Sequence, residues 1–353
     1  MRTVLVVVAC VCVVLAAVVA RSDVGPRSLV ACAVVSVTKA LGRPDTHAVP
    51  ADDPAAVAVA RRELDQQSWL GRVVFLAPAL SHIRTVEGTV ADTVPVRCYV
   101  HPSNHQALRD VVVLIHGGGF VVGSPDSHDH LAREMVEATG AMVVSVDYRL
   151  APEHKFPAGQ EDVVTVLNTL ATLAEANEQQ HPSAPVNPRS IVVLGDSAGG
   201  NLAVTSLLRA HLQSLSLVHK HVAGMLLAYP TVHTCHHELY QSFARYGQGY
   251  RLTAAAVACT SMQVTHPAHP LLSPIEAPAP LLAALPPAAL VMAEFDPLVD
   301  EGVAFAARLR DAGVQADSRV FPGTIHGFVS VPLDHHDEAM SFLASSATAM
   351  LAR

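Results

Sequence analysis

Apolar residues in this chain gather in short continuous runs, separated by longer stretches with helical periodicity. The runs Val111–Ile115, Met142–Val146, Ile191–Leu194, Met225–Ala228 and Ala289–Met292 carry almost no polar residues. That pattern predicts strands covered on both faces, as in a parallel sheet. Ile83–Glu87 and Val94–Val100 read as an antiparallel edge hairpin, and Ser318–Phe321 as a last strand. Between the strands, His130–Thr139, Glu161–Ala176, Asn201–His211 and Glu301–Ala312 read as helices. Alternation of the two types predicts the α/β class: a doubly wound, mostly parallel eight-stranded sheet with helices on both faces.

Two regions depart from the alternation. Pro44, Pro50 and Pro54 break the early chain, ahead of a helix predicted at Ala55–Trp69. Pro230 to about Pro287 is rich in His, Pro and aromatic residues and shows no strand signal. An excursion of that length is expected to cover an active site. The predicted organisation is a leader at 1–21, a linker with N-terminal cap helices at 22–70, and a catalytic domain at 71–353 whose cap insertion spans about 231–286.

Composition narrows the class. The chain has 353 residues, half of them hydrophobic and only 15% charged, which suits one large globular domain. A net charge of −8 without a basic cluster excludes a nucleic-acid footprint. Residues 4–20 form an uncharged apolar run. As a helix it would be about 25 Å long, short for a membrane span and also suited to a signal peptide. Cleaved signal and retained membrane anchor both stay open, and both place the protein in the secretory pathway. Cys10, Cys12, Cys32, Cys98, Cys235 and Cys259 show no C-x-x-C spacing, so no disulfide pairing is readable.

The chemistry starts at Gly195-Asp196-Ser197-Ala198-Gly199, a G-x-S-x-G pattern. Composition alone produces such a match in roughly one chain of this kind in ten, so its setting carries the meaning. A predicted strand precedes it and a predicted helix follows, which makes Ser197 the apex of a sharp, strained strand-to-helix turn. His116-Gly117-Gly118-Gly119-Phe120 directly follows another strand. Its glycines let the main chain aim N–H groups at a substrate carbonyl. Gly118 and Gly119, with Ala198, are the expected oxyanion donors, while Gly117 and His116 support the loop. A serine nucleophile needs a base and an orienting carboxylate. Asp296 and His326 follow later strands in the expected chain order. Glu294, Asp300 and Glu301 compete with Asp296; the latter two are placed to cap a helix. His233-Thr234-Cys235-His236-His237 matches no zinc spacing, and His128-Asp129-His130 reads as a helix start.

Taken together, these motifs resemble the hormone-sensitive-lipase-like branch of the α/β-hydrolases, which includes bacterial carboxylesterases and arylacetamide deacetylase. The likeness also rests on Asp147-Tyr148-Arg149-Leu150-Ala151-Pro152-Glu153-His154, on Phe156-Pro157-Ala158 with Glu161-Asp162, and on Asp296-Pro297-Leu298 with His326-Gly327-Phe328. It implies a triad of Ser197, Asp296 and His326, a helical cap, no cofactor and no metal. The implied activity is hydrolysis of small to medium hydrophobic esters through an acyl-enzyme. Arylacetamide-type amide hydrolysis is the alternative. A small-molecule receptor on this scaffold is a third reading, disfavoured because such receptors lack the histidine that His326 supplies here. Val299 and Thr324 depart from the family pattern, where Arg and Met are common.

Overall fold

In a computed structural model, the described residues are 55–62, 80–103, 109–178, 188–250, 252–253 and 269–353. The apolar run at 4–20, four of the six cysteines and the second half of the predicted Ala55–Trp69 helix lie outside them. Among the described residues no helix is long and apolar enough to cross a membrane. Cys98 and Cys235 are free thiols, and burial pushes Cys98 up to about 11.

Eight strands form one sheet: β1 Arg84–Val90, β2 Val94–Val100, β3 Arg109–Ile115, β4 Met142–Val146, β5 Pro188–Asp196, β6 Val222–Ala228, β7 Ala288–Phe295 and β8 Ala316–Ile325. Their spatial order is β1-β2-β4-β3-β5-β6-β7-β8. The first two strands pair antiparallel, β2 runs antiparallel to β4, and every later pairing is parallel. Each expected strand is present. Most extend past the apolar run that announced them, because ladder pairing continues after side-chain burial ends.

Period-two alternation explains the two-sided core. Along β3, Val111, Val113 and Ile115 point into one apolar cluster, and Val112 and Leu114 into another. The first cluster lies under α2 (Ala158–Glu178), α3 (Ala198–Leu212), α4 (Ser216–His221) and α7 (Val299–Asp311), through Val163, Leu167, Leu207 and Phe305. The second lies under α1 (Asp129–Thr139) and α8 (His336–Leu351), through Leu131, Met135 and Leu343. The sequence reading did not anticipate α8. Its buried face mixes Ala339, Ala344 and Ala347 with Met340, Leu343, Met350 and Leu351, and the alanines thin its hydrophobic signal. Two further short helices, α5 (Gln241–Tyr246) and α6 (Ala279–Leu282), lie between β6 and β7.

The sheet order turns at β3, which sits between β4 and β5. Crevices at the carboxyl ends of strands form at such switch points. In register, Ile115 of β3 pairs with Gly195 of β5. The glycine loop and the G-x-S-x-G turn therefore leave the sheet side by side. The helix at 55–62 is held against the glycine loop. Arg61 donates to the carbonyls of Val121 and Ala151 at 2.9 and 3.0 Å and forks onto Glu153.

Candidate active site

Ser197 sits between β5 and α3 with φ 54° and ψ −119°. A left-handed conformation at a non-glycine residue is strained. Here the surroundings impose it: Ser197 N–H donates to Ala228 O, and Ser197 O accepts from Asn201 and Thr231 N–H. The turn requires glycine at 199, where any Cβ would collide with Ile115 O. Ala198 is the first residue of α3, so its N–H has no intrahelical acceptor and points with the positive end of the helix dipole.

Asp296 and His326 arrive by strand register. Phe295 of β7 pairs with Ile325 of β8, and each is followed immediately by one of the two residues. A bulge achieves this: between Ala293 and Phe295 on β7, β8 advances from Phe321 to Ile325. Glu294 pins the bulge by accepting the Gly323 N–H at 2.8 Å. The resulting line of contacts is continuous. Ser197 Oγ lies 3.0 Å from His326 Nε2, and His326 Nδ1 donates to Asp296 Oδ2 at 2.7 Å. Asp296 is fully buried, and its Oδ1 accepts the Leu298 N–H at 2.9 Å. The rival carboxylates are engaged elsewhere. Asp300 accepts Ser242 N–H. Buried Glu301 caps no helix but reaches across to the segment after β6, accepting from Val232 and His233 N–H and pairing with His237.

In the glycine loop, Gly118 and Gly119 have φ 122° and 60°. Gly118 O accepts from both Val121 and Val122 N–H, closing the loop tightly. A side chain at 118 would run into Val122 O. Gly117 N–H is committed to Asp196 Oδ1 at 2.8 Å, whereas the N–H groups of Gly118 and Gly119 have no acceptor among the described residues. His116 is fully buried, donates from Nδ1 to Gly117 O, and stacks on Tyr148 at 4.3 Å. Burial, helped by His128, pushes it down to about 3, so it is a neutral brace. Tyr148 in turn donates its hydroxyl to His116 O, and Arg149 forks onto Asp162. Those contacts tie the Asp147–His154 and Glu161-Asp162 segments to the glycine loop.

Sequence reading missed the roles of four residues: Asp196, His128, Ser330 and Tyr229. Asp196, next to the serine, gathers Gly117 N–H, His128 Nε2 at 3.0 Å and Ser330 Oγ at 2.6 Å. Ser330 also meets the Tyr229 hydroxyl, and the Tyr229 ring packs on His326 at 4.6 Å. One buried carboxylate thus ties the glycine loop to the loop after His326. Only Asp196 had a sequence signal, its place inside the G-x-S-x-G match. Burial pushes the Asp196 carboxyl up, but His128, Ser330 and Gly117 N–H outweigh it and hold it down, from 3.8 to about 2. A depressed pKa stabilises the fold above the unfolded value and loses that contribution as pH falls toward the folded one. In urea melts, about 2 kcal/mol should therefore vanish between pH 5 and pH 2, and Asp196→Asn should flatten that part of the acid slope.

His233, His236 and His237 each face a different carboxylate: Glu276, Glu238 and Glu301. Val299 is a nearly buried member of the core beneath α7. Thr324 is buried, and its hydroxyl donates to Phe321 O at 2.7 Å. A largely apolar pocket beside the first turn of α3 has Phe120, Phe156, Leu202, Leu271 and Leu272 among its walls, together with Arg149, His154 and Gln160; Ser197 is not part of its lining.

Comparisons with known proteins identify the family and the fold. A family model described as the alpha/beta hydrolase fold matches residues 112–330. The chain is 35% identical to an ethyl acetate hydrolase of Pseudomonas putida over 291 residues, covering 80% of this chain and 84% of that one. It is 36% identical to the carboxylesterase NlhH of Mycobacterium tuberculosis, covering 82% and 87%. Among solved structures, an esterase of Pyrobaculum calidifontis superposes with a TM-score of 0.72 at 34% identity, covering 84% of this chain and 94% of the other.

Proposed function

Since the chain belongs to the hormone-sensitive-lipase-like carboxylesterase branch of the α/β-hydrolases and is an ester hydrolase, we propose that Ser197, His326 and Asp296 are its triad. The unbroken Ser197–His326–Asp296 line of hydrogen bonds at the carboxyl ends of β5, β7 and β8 carries this reading. Ser197 Oγ attacks the ester carbonyl as His326 Nε2 takes its proton. The N–H groups of Gly118, Gly119 and Ala198 receive the oxyanion; one such donor is typically worth about 3–4 kcal/mol. His326 then passes the proton to the leaving alkoxide, and water, activated by the same nitrogen, releases the acid from the acyl-serine. Asp296 holds the imidazole in the required tautomer and stabilises its charged form.

The apolar pocket supports small to medium hydrophobic esters as substrates. Its roof comes from the segment between β6 and β7. Gln160 donates to Leu271 O at 3.1 Å and Asn201 to Leu272 O at 2.7 Å, which supports reading the stretch around Leu271 and Leu272 as part of a cap over α2 and α3. A panel of p-nitrophenyl esters with increasing acyl length, run beside matched phenyl acetate and acetanilide, tests the assignment. Highest kcat/KM is expected on short and medium acyl esters, with acetanilide much slower. Faster turnover of acetanilide than of phenyl acetate would move the assignment to amide hydrolysis.

A further inference from the structure

On the face of the sheet covered by α1 and α8, away from the chemistry above, two histidines close on one carboxylate. His130 and Glu134 stand one turn apart on α1, with His130 Nε2 3.1 Å from Glu134 Oε1. His336, the first residue of α8, places its Nε2 2.8 Å from Glu134 Oε2. Both histidines are more than nine-tenths buried. The three ligand atoms lie within 4.8 Å of one another.

Proton placement limits what can join these groups. His336 Nδ1 faces Phe328 O at 3.2 Å, and a carbonyl only accepts, so Nδ1 carries the proton. The His336 Nε2 lies 2.8 Å from Glu134 Oε2, so either a second proton or a cation stands between them. His130 is buried; its Nε2 meets Glu134 Oε1 at 3.1 Å, but its Nδ1 has no hydrogen-bond partner among the described residues, a condition native structures rarely leave unexplained. With protons alone, His336 as an imidazolium and His130 as a neutral ring donating from Nε2 would serve Glu134. A single divalent cation held by both rings and the carboxylate would serve the same three groups, with the His336 Nδ1–H still given to Phe328 O.

We infer that His130, Glu134 and His336 form a binding site for a first-row divalent cation, zinc above all. Two imidazoles and one carboxylate, with a fourth position left for water, is a ligand set zinc accepts. Zinc–ligand bonds of about 2.0–2.1 Å put tetrahedral ligand atoms about 3.3 Å apart, beside contacts of 3.1 and 2.8 Å from the two histidines to the Glu134 oxygens. The Nδ1 bond from His336 to Phe328 O is the outer support that metal-bound histidines ordinarily have. Because Phe328 belongs to the His326-Gly327-Phe328 turn, the ion would fasten α1, α8 and that turn together.

The test uses untagged full-length protein, stripped with a chelator and titrated with zinc against a chromophoric competitor. One zinc per chain is expected, with affinity reduced at least about tenfold in His130→Ala and in Glu134→Gln. Cobalt substitution should give the visible bands of a four-coordinate ion, lost in Glu134→Gln, and zinc should raise the melting midpoint of wild type but not of Glu134→Gln. His82→Ala is the control, since His82, His101 and Glu137 form a second, surface cluster involving the same helix. Wild type without stoichiometric zinc would overturn the inference. So would wild-type affinity in both His130→Ala and Glu134→Gln, or loss of binding on His82→Ala alone.

Discussion

Ser197→Ala is expected to lower kcat/KM on a short p-nitrophenyl ester by about 10⁴- to 10⁶-fold, with little change in fold. The effect follows from geometry already in place. Ser197 Oγ is the one atom in line with His326 Nε2, at 3.0 Å, and nothing else at the turn offers a nucleophile. Alanine keeps the size and the positive φ problem of the native residue, so the circular dichroism spectrum and urea midpoint should stay near wild type. The remaining rate would come from the oxyanion donors and substrate binding. Adding His326→Ala to Ser197→Ala should cost almost nothing more, because residues acting as a unit are not additive. Turnover by Ser197→Ala within tenfold of wild type would refute the assignment of the nucleophile. Covalent labelling by a fluorophosphonate, read by mass spectrometry on the peptide containing Ser197, gives an independent check.

The second large effect is expected at Asp296. Asp296→Asn should reduce kcat/KM by about 10⁴-fold while KM moves little. The carboxylate accepts two hydrogen bonds at once: His326 Nδ1–H on one oxygen and Leu298 N–H on the other. Asparagine has only one oxygen. If that oxygen keeps Leu298, the amide N–H meets His326 Nδ1 and drives the ring proton to Nε2, where it blocks proton uptake from Ser197. If the oxygen turns to His326, the amide N–H confronts Leu298 N–H in a fully buried site. Either way the imidazolium formed during attack loses its counter-charge. Single-turnover acylation rates across pH measure this, and an acylation rate within tenfold of wild type would remove Asp296 from the triad. Glu294→Gln is a useful contrast. It should perturb the β8 bulge at Gly323 but leave the His326 tautomer alone.

Much of the fold was readable because burial on both faces leaves a plain signature. Val111–Ile115 and Met142–Val146 cannot sit at a surface, and Gly or Pro boundaries set their lengths. Alternation with amphipathic helices then leaves few topologies. What escaped the reading had either a weak apolar signal or no local one. Alanine-rich α8 belongs to the first kind. Glu301 belongs to the second: its position in the first turn of α7 suggested a cap, yet its partners lie on the segment after β6.

The site divides in the same way. The strand-to-helix turn at Ser197 and the glycines after His116 were legible because strained backbone demands particular residues at particular spacings. Those demands are local, and the sequence states them. Asp296 and His326 were legible only as candidates, by order along the chain. Their selection over Glu294, Asp300 and Glu301 needed the β7–β8 register and its bulge, which no local pattern encodes. The hub at Asp196 needed three loops to converge. The cluster at Glu134 needed His336, 202 positions away, to land on the same helix face as His130. By itself, then, the sequence determined the class, the strand ladder, the strand-to-helix turn at Ser197 and the glycine loop after His116, because each rests on local sterics and periodicity. Only the tertiary structure decided which acid meets which histidine, since distance in space between remote residues is set by sheet register and helix packing.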